Sequence, residues 1–546
     1  MRNKFIRTLG MLAVAAVLLP AGSCTKDLDQ APTYLASADV IYRDPAQILQ
    51  VLARLYGGLA VTGQTGGNGP GSAQPDLSFI DEGYSNYIRA YFKAQELTTD
   101  EAIIAWGDAG LPDYNRLTWN ADNQFIRAMY ERIFFQISAC NEFIRQTSDD
   151  KLASRGITGP EAGTIRQYQA EARFLRALSY FHAIDMFGNV PFVTENSTVG
   201  ENPRQGTRAE VYTYIESELR AIEPLLLAPR SVYARADKGA CWALQTKLYL
   251  NAKVYNPSVT GNFDAAAVAA DKLLRASSGY SLTPNYTHLF LADNDRAALR
   301  NEIIFPVAFD GINTQNYGGT TFLVHGSVGG SMDAAAYGII SGGWFGMRAR
   351  RNLVDLFPGF PGATTDQRAL FYTAGQTLEI TDPSAFTDGY AVTKWRNVTS
   401  TGVPGKDVTG TFADTDFPMF RLADVKLMYA EAVQRGAQPI STSGTALQAV
   451  NDVRLRAGAP ALASFTGDGL QNILDERGRE LYWEGSRRTD LIRFGKYVSG
   501  YNWPFKGNRG ASDITTGRDV EPFRVLFPIP TTDLVANPNI KQNTGY

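Results

Sequence analysis

Three histidines, three cysteines and 55 acidic side chains set what chemistry this 546-residue chain could do. The histidines are His182, His288 and His325. No H-E-x-x-H sequence holds two of them at helical spacing, so the usual zinc-protease site is absent. His325-Gly326-Ser327-Val328-Gly329 lacks the first glycine of the G-x-S-x-G turn that exposes a nucleophilic serine. Gly66-Gly67-Asn68-Gly69-Pro70-Gly71 carries no lysine for a phosphate and follows no clear strand, so it reads as a flexible loop. Glycoside hydrolysis needs only two carboxylates. Folding could bring such a pair together from anywhere in the chain, so a surface glycoside hydrolase stands as an alternative reading. Asp293-Asn294-Asp295 and Asp414-Thr415-Asp416 are oxygen-rich clusters without the spacing or glycine of an EF-hand. Asp293, Asp295 and Asp416 are the predicted ligands of a structural calcium ion, against solvated turn carboxylates as the plain alternative. No other cofactor is expected.

Cysteine chemistry is concentrated at Cys24. Arg2, Lys4 and Arg7 open the chain, an apolar run from Met11 to Leu19 follows, and Pro20-Ala21-Gly22-Ser23 leads into the cysteine. The run is too short to span a bilayer but fits a secretory signal. Small residues before a lone cysteine resemble a bacterial lipobox, with Ala21 where leucine is usual. Residues 1–23 are therefore predicted as a signal peptide, and Cys24 as the acylated end of a soluble body tethered to a membrane. Thr25-Lys26-Asp27-Leu28-Asp29 resembles the surface-export signal of lipoproteins in one polysaccharide-degrading Gram-negative phylum, which implies the outer face of the outer membrane. Cys140 and Cys241 lie in apolar, helix-like segments and read as core thiols, though spacing alone does not exclude a disulfide.

The net charge is -3, and removal of a leader with three basic residues leaves about -6. That excludes the basic balance of a nucleic-acid binder. A 44% hydrophobic fraction and 20% charged fraction are those of a globular protein with a sizeable core.

Two textures must position these residues. Amphipathic helices are predicted over Phe125–Gln146, Gln167–Phe187, Arg208–Leu227, Asp237–Val254, Asp264–Ala276, Arg421–Gly436, Ala446–Ala457 and Leu470–Arg493. Helices joined by short Asn/Pro/Gly turns, such as Asp237–Val254 and Asp264–Ala276, look like repeat-type hairpins, though the full tetratricopeptide consensus is absent. The second texture, rich in Gly, Asn, Thr and aromatics, covers Gly57–Ser85 and about 293–415. Loops of that length are uncommon unless they bind something. Arg173, Arg176, Asp185, Glu480, Glu484, Arg488 and Asp490 are dense in charge, but helical spacing reads them as structural ion pairs, with Glu484–Arg488 at i,i+4.

Several of these segments carry a family signature. Ala170-Glu171-Ala172-Arg173-Phe174-Leu175-Arg176-Ala177 through Asp185-Met186-Phe187-Gly188-Asn189-Val190-Pro191-Phe192 resembles the first hallmark of the SusD/RagB family of outer-membrane nutrient-binding lipoproteins. Arg421-Leu422-Ala423-Asp424-Val425, Ala449-Val450-Asn451-Asp452-Val453-Arg454 and Asp490-Leu491-Ile492-Arg493-Phe494-Gly495 continue it in order. Leu526-Phe527-Pro528-Ile529-Pro530 with Asn537-Pro538-Asn539 resembles the family ending. Asn301-Glu302-Ile303-Ile304-Phe305-Pro306, with Asn313 to Gly319 after it, is similar to the starch-binding branch.

The resemblance implies a mostly α, SusD-like fold over residues 24–546, with four tetratricopeptide-type helix pairs as scaffold and long irregular loops carrying one ligand site. It implies a non-catalytic binder of oligosaccharide, with starch or another α-glucan leading and another glycan or a peptide as alternative. The partner it implies is a TonB-dependent outer-membrane transporter of the SusC type. A sugar presents apolar C–H faces and rings of hydroxyls, which aromatic and polar side chains cover together. The loop aromatics are Trp106, Tyr317, Phe322, Tyr337, Trp344, Phe345, Tyr390 and Trp395. By position relative to the starch-binding relatives, Trp106, Tyr317 and Trp344 are the implied stacking residues, and Asp81 and Arg89 the implied polar contacts.

Overall fold

A computed structural model of the chain describes residues 38–63, 75–507 and 514–546. The signal peptide, the lipid-attachment cysteine Cys24, the export residues and the glycine cluster at 66–71 lie outside the described residues. No helix among the described residues is long and apolar enough to cross a membrane.

The fold is mostly helical. Helix α1 spans Pro45–Ala60, started by the Asp44 carboxylate, which accepts from the Ala46 amide, and by proline at the first turn. Helix α2 (Tyr87–Phe92) is capped by Asn86 and runs directly into a π-helical turn, Lys93–Leu97. Helix α3 (Gln124–Gln146) is capped by Asn123. Helix α4 (Gly159–Phe187) is buried on all sides from Phe174 to Phe187 and forms the centre of the core. Then come α5 (Arg208–Ile222), α6 (Lys238–Leu250), α7 (Phe263–Leu274) and the short α8 (Gly319–Gly326). Further along are α9 (Leu422–Gln434), α10 (Ala446–Arg456), α11 (Leu470–Leu481) and α12 (Arg487–Arg493).

Helices close in sequence pack on one another: α3 on α4, α4 on α5, α6 on α7, and α9 on α10 and α11. Small residues allow this. Ala266, Ala267, Ala269 and Ala270 of α7 are all buried, and α7 packs on both α6 and α9.

Two short antiparallel ladders tie the loop-rich region to this scaffold. Strand β1 (Ala102–Ile104) pairs with β3 (Met347–Ala349). Strand β2 (Ile303–Val307) pairs with β4 (Phe417–Arg421), so the segment between them begins and ends at the same place.

The structure corrects the sequence reading at four points. First, residues 57–60 belong to α1. Gly58 faces α3 so closely that a Cβ there would stand 2.1 Å from the Gln136 Oε1. Second, the 293–415 segment is not all loop, since it holds β2, α8 and β3. Third, the helix read over Leu470–Arg493 is two. It breaks at Tyr482-Trp483-Glu484-Gly485, with Trp483 at φ 62° and Gly485 at φ 78°. The freed amides of Gly485 and Ser486 donate to the Glu96 carboxylate, and Lys394 Nζ donates to the Tyr482 carbonyl. Fourth, Glu484 and Arg488 do not pair. Glu484 meets Arg421 and Lys394, while Arg488 donates to the Val525 carbonyl.

Of the remaining charged signature residues, Arg173, Arg176, Glu480 and Asp490 form structural ion pairs, mostly between segments remote in sequence, and Asp185 is held by neutral partners. Arg173 and Arg176 share Glu218, Glu480 lies among Arg368, Arg421 and Arg456, and Asp490 joins Arg477 and Arg493. Asp185 binds Gln95, Tyr255 and Thr489. Burying such charges costs several kcal/mol each and the pairing roughly offsets it, so the network fixes helix positions more than it adds net stability. His182 is packed in the core, its Nδ1 2.8 Å from the Tyr87 hydroxyl, and burial pulls its pKa down to about 3. Cys140 and Cys241 are buried and unpaired.

Candidate functional site

The β1–β3 ladder decides where two tryptophans stand. Ile104 pairs with Met347, and the Ala105 amide donates to the Gly346 carbonyl at 2.8 Å. Trp106 and Trp344, each just outside the ladder, are therefore delivered side by side. The Trp106 Nε1 donates to the Trp344 carbonyl at 2.9 Å, and the two rings lie 6.2 Å apart. Gly346 permits this, because a Cβ there would stand 2.8 Å from the Trp106 ring.

Trp344 lies over His325, at 4.7 Å between centroids and 24° between planes. The imidazole is itself fixed, with Nδ1 3.1 Å from the Gly342 carbonyl and Nε2 2.8 Å from the Thr411 carbonyl. Burial lowers its pKa below the usual histidine value. A neutral ring donates to only one of those carbonyls.

Tyr317 arrives from the other side, 6.3 Å from Trp344 and 5.3 Å from Phe412. The glycines after it let the chain touch α2. The Asn86 Oδ1 accepts from the Gly319 amide at 2.9 Å and also from the Arg89 amide, so one side chain caps α2 and anchors the start of α8.

Arg89 is the hub. It is 4% exposed, and its guanidinium carbon lies 4.2 Å from the Tyr84 ring centre, 4.5 Å from Phe322, 5.6 Å from Trp106 and 6.0 Å from Trp344. Its Nη1 donates to the Tyr317 carbonyl at 2.9 Å. Burial lowers its pKa to about 10, which leaves it charged at neutral pH. Desolvated cation–π contacts of this kind are worth about 2 kcal/mol. One turn further on, the Lys93 Nζ is buried 4.0 Å from the Phe125 ring centre and 4.9 Å from that of Tyr84. Burial and the nearby Arg89 charge take its pKa well below the usual lysine value.

Three of the five sequence-derived residues thus form one surface. Trp106, Tyr317 and Trp344 are half-buried rings on a common base. Arg89 lies beneath them. Asp81 is at the edge, where its carboxylate accepts from the Gly83 amide at 3.1 Å and starts the turn that carries Tyr84. Sequence reasoning missed Tyr84, whose hydroxyl donates to Asp108 at 3.0 Å, and the supports His325 and Phe412. The other loop aromatics have different roles. Phe322 is buried in α8, Trp395 is buried against Phe417, Tyr337 is buried, and Tyr390 packs on Phe360. Phe345 is exposed.

Of the three residues read as calcium ligands, the carboxylates of Asp416 and Asp293 have separate partners. Asp416 accepts from the Phe309 amide and the Tyr233 hydroxyl at 2.8 and 2.5 Å. Asp293 accepts from Ser400 and pairs with Arg296. Asp295 accepts through its carbonyl from Arg300. Among the described residues no group of three or more His, Cys, Asp or Glu side chains is arranged to hold a metal ion.

Comparisons with known proteins identify the family. Residues 363–546 match the SusD family, and residues 81–250 match a family described as starch-binding and associating with the outer membrane. The chain is 35% identical over 593 aligned positions to the starch-binding protein SusD of Bacteroides thetaiotaomicron, covering all of both chains. It belongs to the SusD family. Among solved structures it resembles the surface glycan-binding protein A of Bacteroides fluxus, with a TM-score of 0.69 and 21% identity over 92% of this chain and 99% of that one. It also resembles surface glycan-binding protein A of Bacteroides thetaiotaomicron in complex with laminarihexaose, at a TM-score of 0.67 and 18% identity over 91% and 99%. The matched segment 81–250 of this SusD-family chain carries Asp81, Arg89 and Trp106. Tyr317 and Trp344 fall between the two matched segments.

Proposed function

We propose that this SusD-family chain is a cell-surface lipoprotein that holds an oligosaccharide on the Trp106–Trp344–Tyr317 surface, without cleaving it, and passes it to a TonB-dependent outer-membrane transporter. The observation that carries the reading is the meeting of three half-exposed rings from distant parts of the chain, two of them over the buried Arg89 guanidinium and the third, Tyr317, tied to it through its carbonyl. A row of rings fits the apolar faces of successive pyranoses, and rings held in place by packing lose little freedom on binding. Starch or a related α-glucan leads because the relative matched over the full length is named for starch binding. The laminarihexaose complex of a structural neighbour keeps other glycans as the second reading. The nearby carboxylates Asp81 and Asp108 are engaged by the Gly83 amide and the Tyr84 hydroxyl, which supports binding over hydrolysis. The lipid on Cys24 supplies the anchor in this reading.

Native affinity electrophoresis of the protein from Thr25 onward tests it, in gels holding starch, laminarin, fructan, xylan or no glycan. Retardation by starch without release of reducing sugar is expected. Retardation by another glycan keeps the role and changes the ligand. Release of reducing sugar restores the hydrolase reading, and retardation by none of them removes the glycan reading.

A further inference from the structure

Among the described residues four bulky apolar side chains stand at positive φ: Leu117 at 58°, Phe345 at 53°, Trp483 at 62° and Phe505 at 69°. Such backbone conformations are strained for these residue types. Leu117, Trp483 and Phe505 are 1%, 0% and 2% exposed, so burial of a large side chain offsets the strain. Phe345 is 50% exposed, and burial offsets far less of it.

The backbone around Phe345 is held on three successive amides. Trp344 donates to the His325 carbonyl at 2.8 Å, Phe345 to Val328 at 3.0 Å and Gly346 to Gly326 at 3.0 Å. These bonds impose the kink that turns Trp344 into the ring surface. Glycine at 345 would meet the same need without strain. The chain instead has a phenylalanine there, so the exposed ring itself has a use.

That ring is also seated. Phe386 meets it edge-on, with centroids 5.6 Å apart. Gly329 leaves it room, since a Cβ there would stand 2.7 Å from the Phe345 ring. The result is a supported, half-exposed aromatic next in sequence to Trp344.

We infer that Phe345 is an outer sugar platform, stacking a pyranose of a long glycan chain that continues past the Trp344 edge of the main surface. This rests on the glycan-binding reading above. It assigns Phe345 a share in retaining polymer and none in holding a short oligosaccharide.

The test compares the parent protein with Phe345→Gly, Phe345→Leu, Phe345→Trp and Trp344→Ala, each first checked for a cooperative melt by circular dichroism. The probes are maltoheptaose with soluble starch and laminarihexaose with laminarin. The oligosaccharides are followed by calorimetry and the polymers by affinity gel. Phe345→Gly and Phe345→Leu are expected to hold the oligosaccharide like the parent and to bind the polymer about fivefold more weakly, the loss of about one stacking contact. Phe345→Trp is expected to keep polymer binding. If Phe345→Gly fails to fold, Phe345→Leu carries the same comparison, since it keeps apolar volume and loses the flat face. Polymer binding unchanged in Phe345→Leu, with Trp344→Ala deficient for both probes, overturns the outer platform alone. Parent-like binding by Trp344→Ala, or a parent that binds neither pair, overturns the reading on which the platform rests.

Discussion

The indole nitrogen of Trp106 donates to the carbonyl of Trp344 across a sequence separation of 238 residues. That bond makes the ring surface a property of the tertiary fold. The Trp106 ring cannot rotate away without leaving its N–H unpaired, which costs about 1–3 kcal/mol when buried, and the Trp344 ring is held by packing on His325 and Trp106. The surface is therefore formed before any ligand arrives.

Trp344→Ala removes an exposed ring face and the cover over His325 together. Affinity for the retaining glycan is expected to fall by about tenfold or more, as for a central aromatic anchor. Calorimetry on the purified protein reads this directly. Unchanged affinity would remove the site assignment and leave the family membership untouched.

Arg89→Lys keeps the charge but loses the planar group enclosed by Tyr84, Phe322, Trp106 and Trp344. Because Arg89 lies beneath the rings, affinity is expected to drop by a similar factor for every glycan that binds, with the order of preference kept. Thermal melts should show a loss of about 1–2 kcal/mol. A change of preference with unchanged stability would instead place Arg89 in direct contact with the sugar.

Glu96 and Glu101 are buried together behind the break at Trp483–Gly485, near Asp100 and Arg487. Burial raises both carboxyl pKa values, to about 7 for Glu96, and for Glu101 the neighbouring Glu96 charge adds to the rise. A carboxyl with a raised folded-state pKa binds more protons folded than unfolded, so its contribution to stability falls as pH rises from its unfolded value through the folded one. Glu101→Gln keeps the shape without the charge. Its melting temperature relative to the parent is expected to improve steadily from pH 5 to pH 8, and a constant difference over that range would contradict the shared burial.

Two glycines beside the rings should behave oppositely. A Cβ on Gly343 would stand 2.0 Å from the Val328 carbonyl, whereas one on Gly107 meets nothing within 4 Å. Gly343→Ala is expected to displace the Trp344 loop and weaken glycan retention severalfold, while Gly107→Ala leaves it within about twofold. Affinity gels of the two variants side by side show the contrast.

The helical scaffold was legible because burial leaves a 3.6-residue period, clear in Phe125–Gln146 and in Ala446–Ala457. The break after Leu481 was not, although Gly485 and Ser486 are poor helix formers, because the charged and apolar pattern resumes after them and the competing acceptor, Glu96, is remote in sequence. Trp106, Tyr317 and Trp344 were found through their positions relative to a known family, and the fold does bring them together. Tyr84 was missed because its segment has no period and its partner Asp108 shows only after folding. Phe322 and Trp395 looked like loop aromatics because nothing local distinguishes a ring facing inward from one facing out.

The pairing of Val307 with Phe417 has a practical corollary. The whole stretch from 308 to 416 leaves and rejoins the helices at one doorway, so a relative's equivalent stretch could be exchanged through two adjacent junctions. Such a transplant would move Tyr317 and Trp344 to a new host but leave Trp106 behind, two residues past the end of β1. A working chimera would have to carry residues 105–107 as a third, separate piece, or match them to the incoming carbonyl.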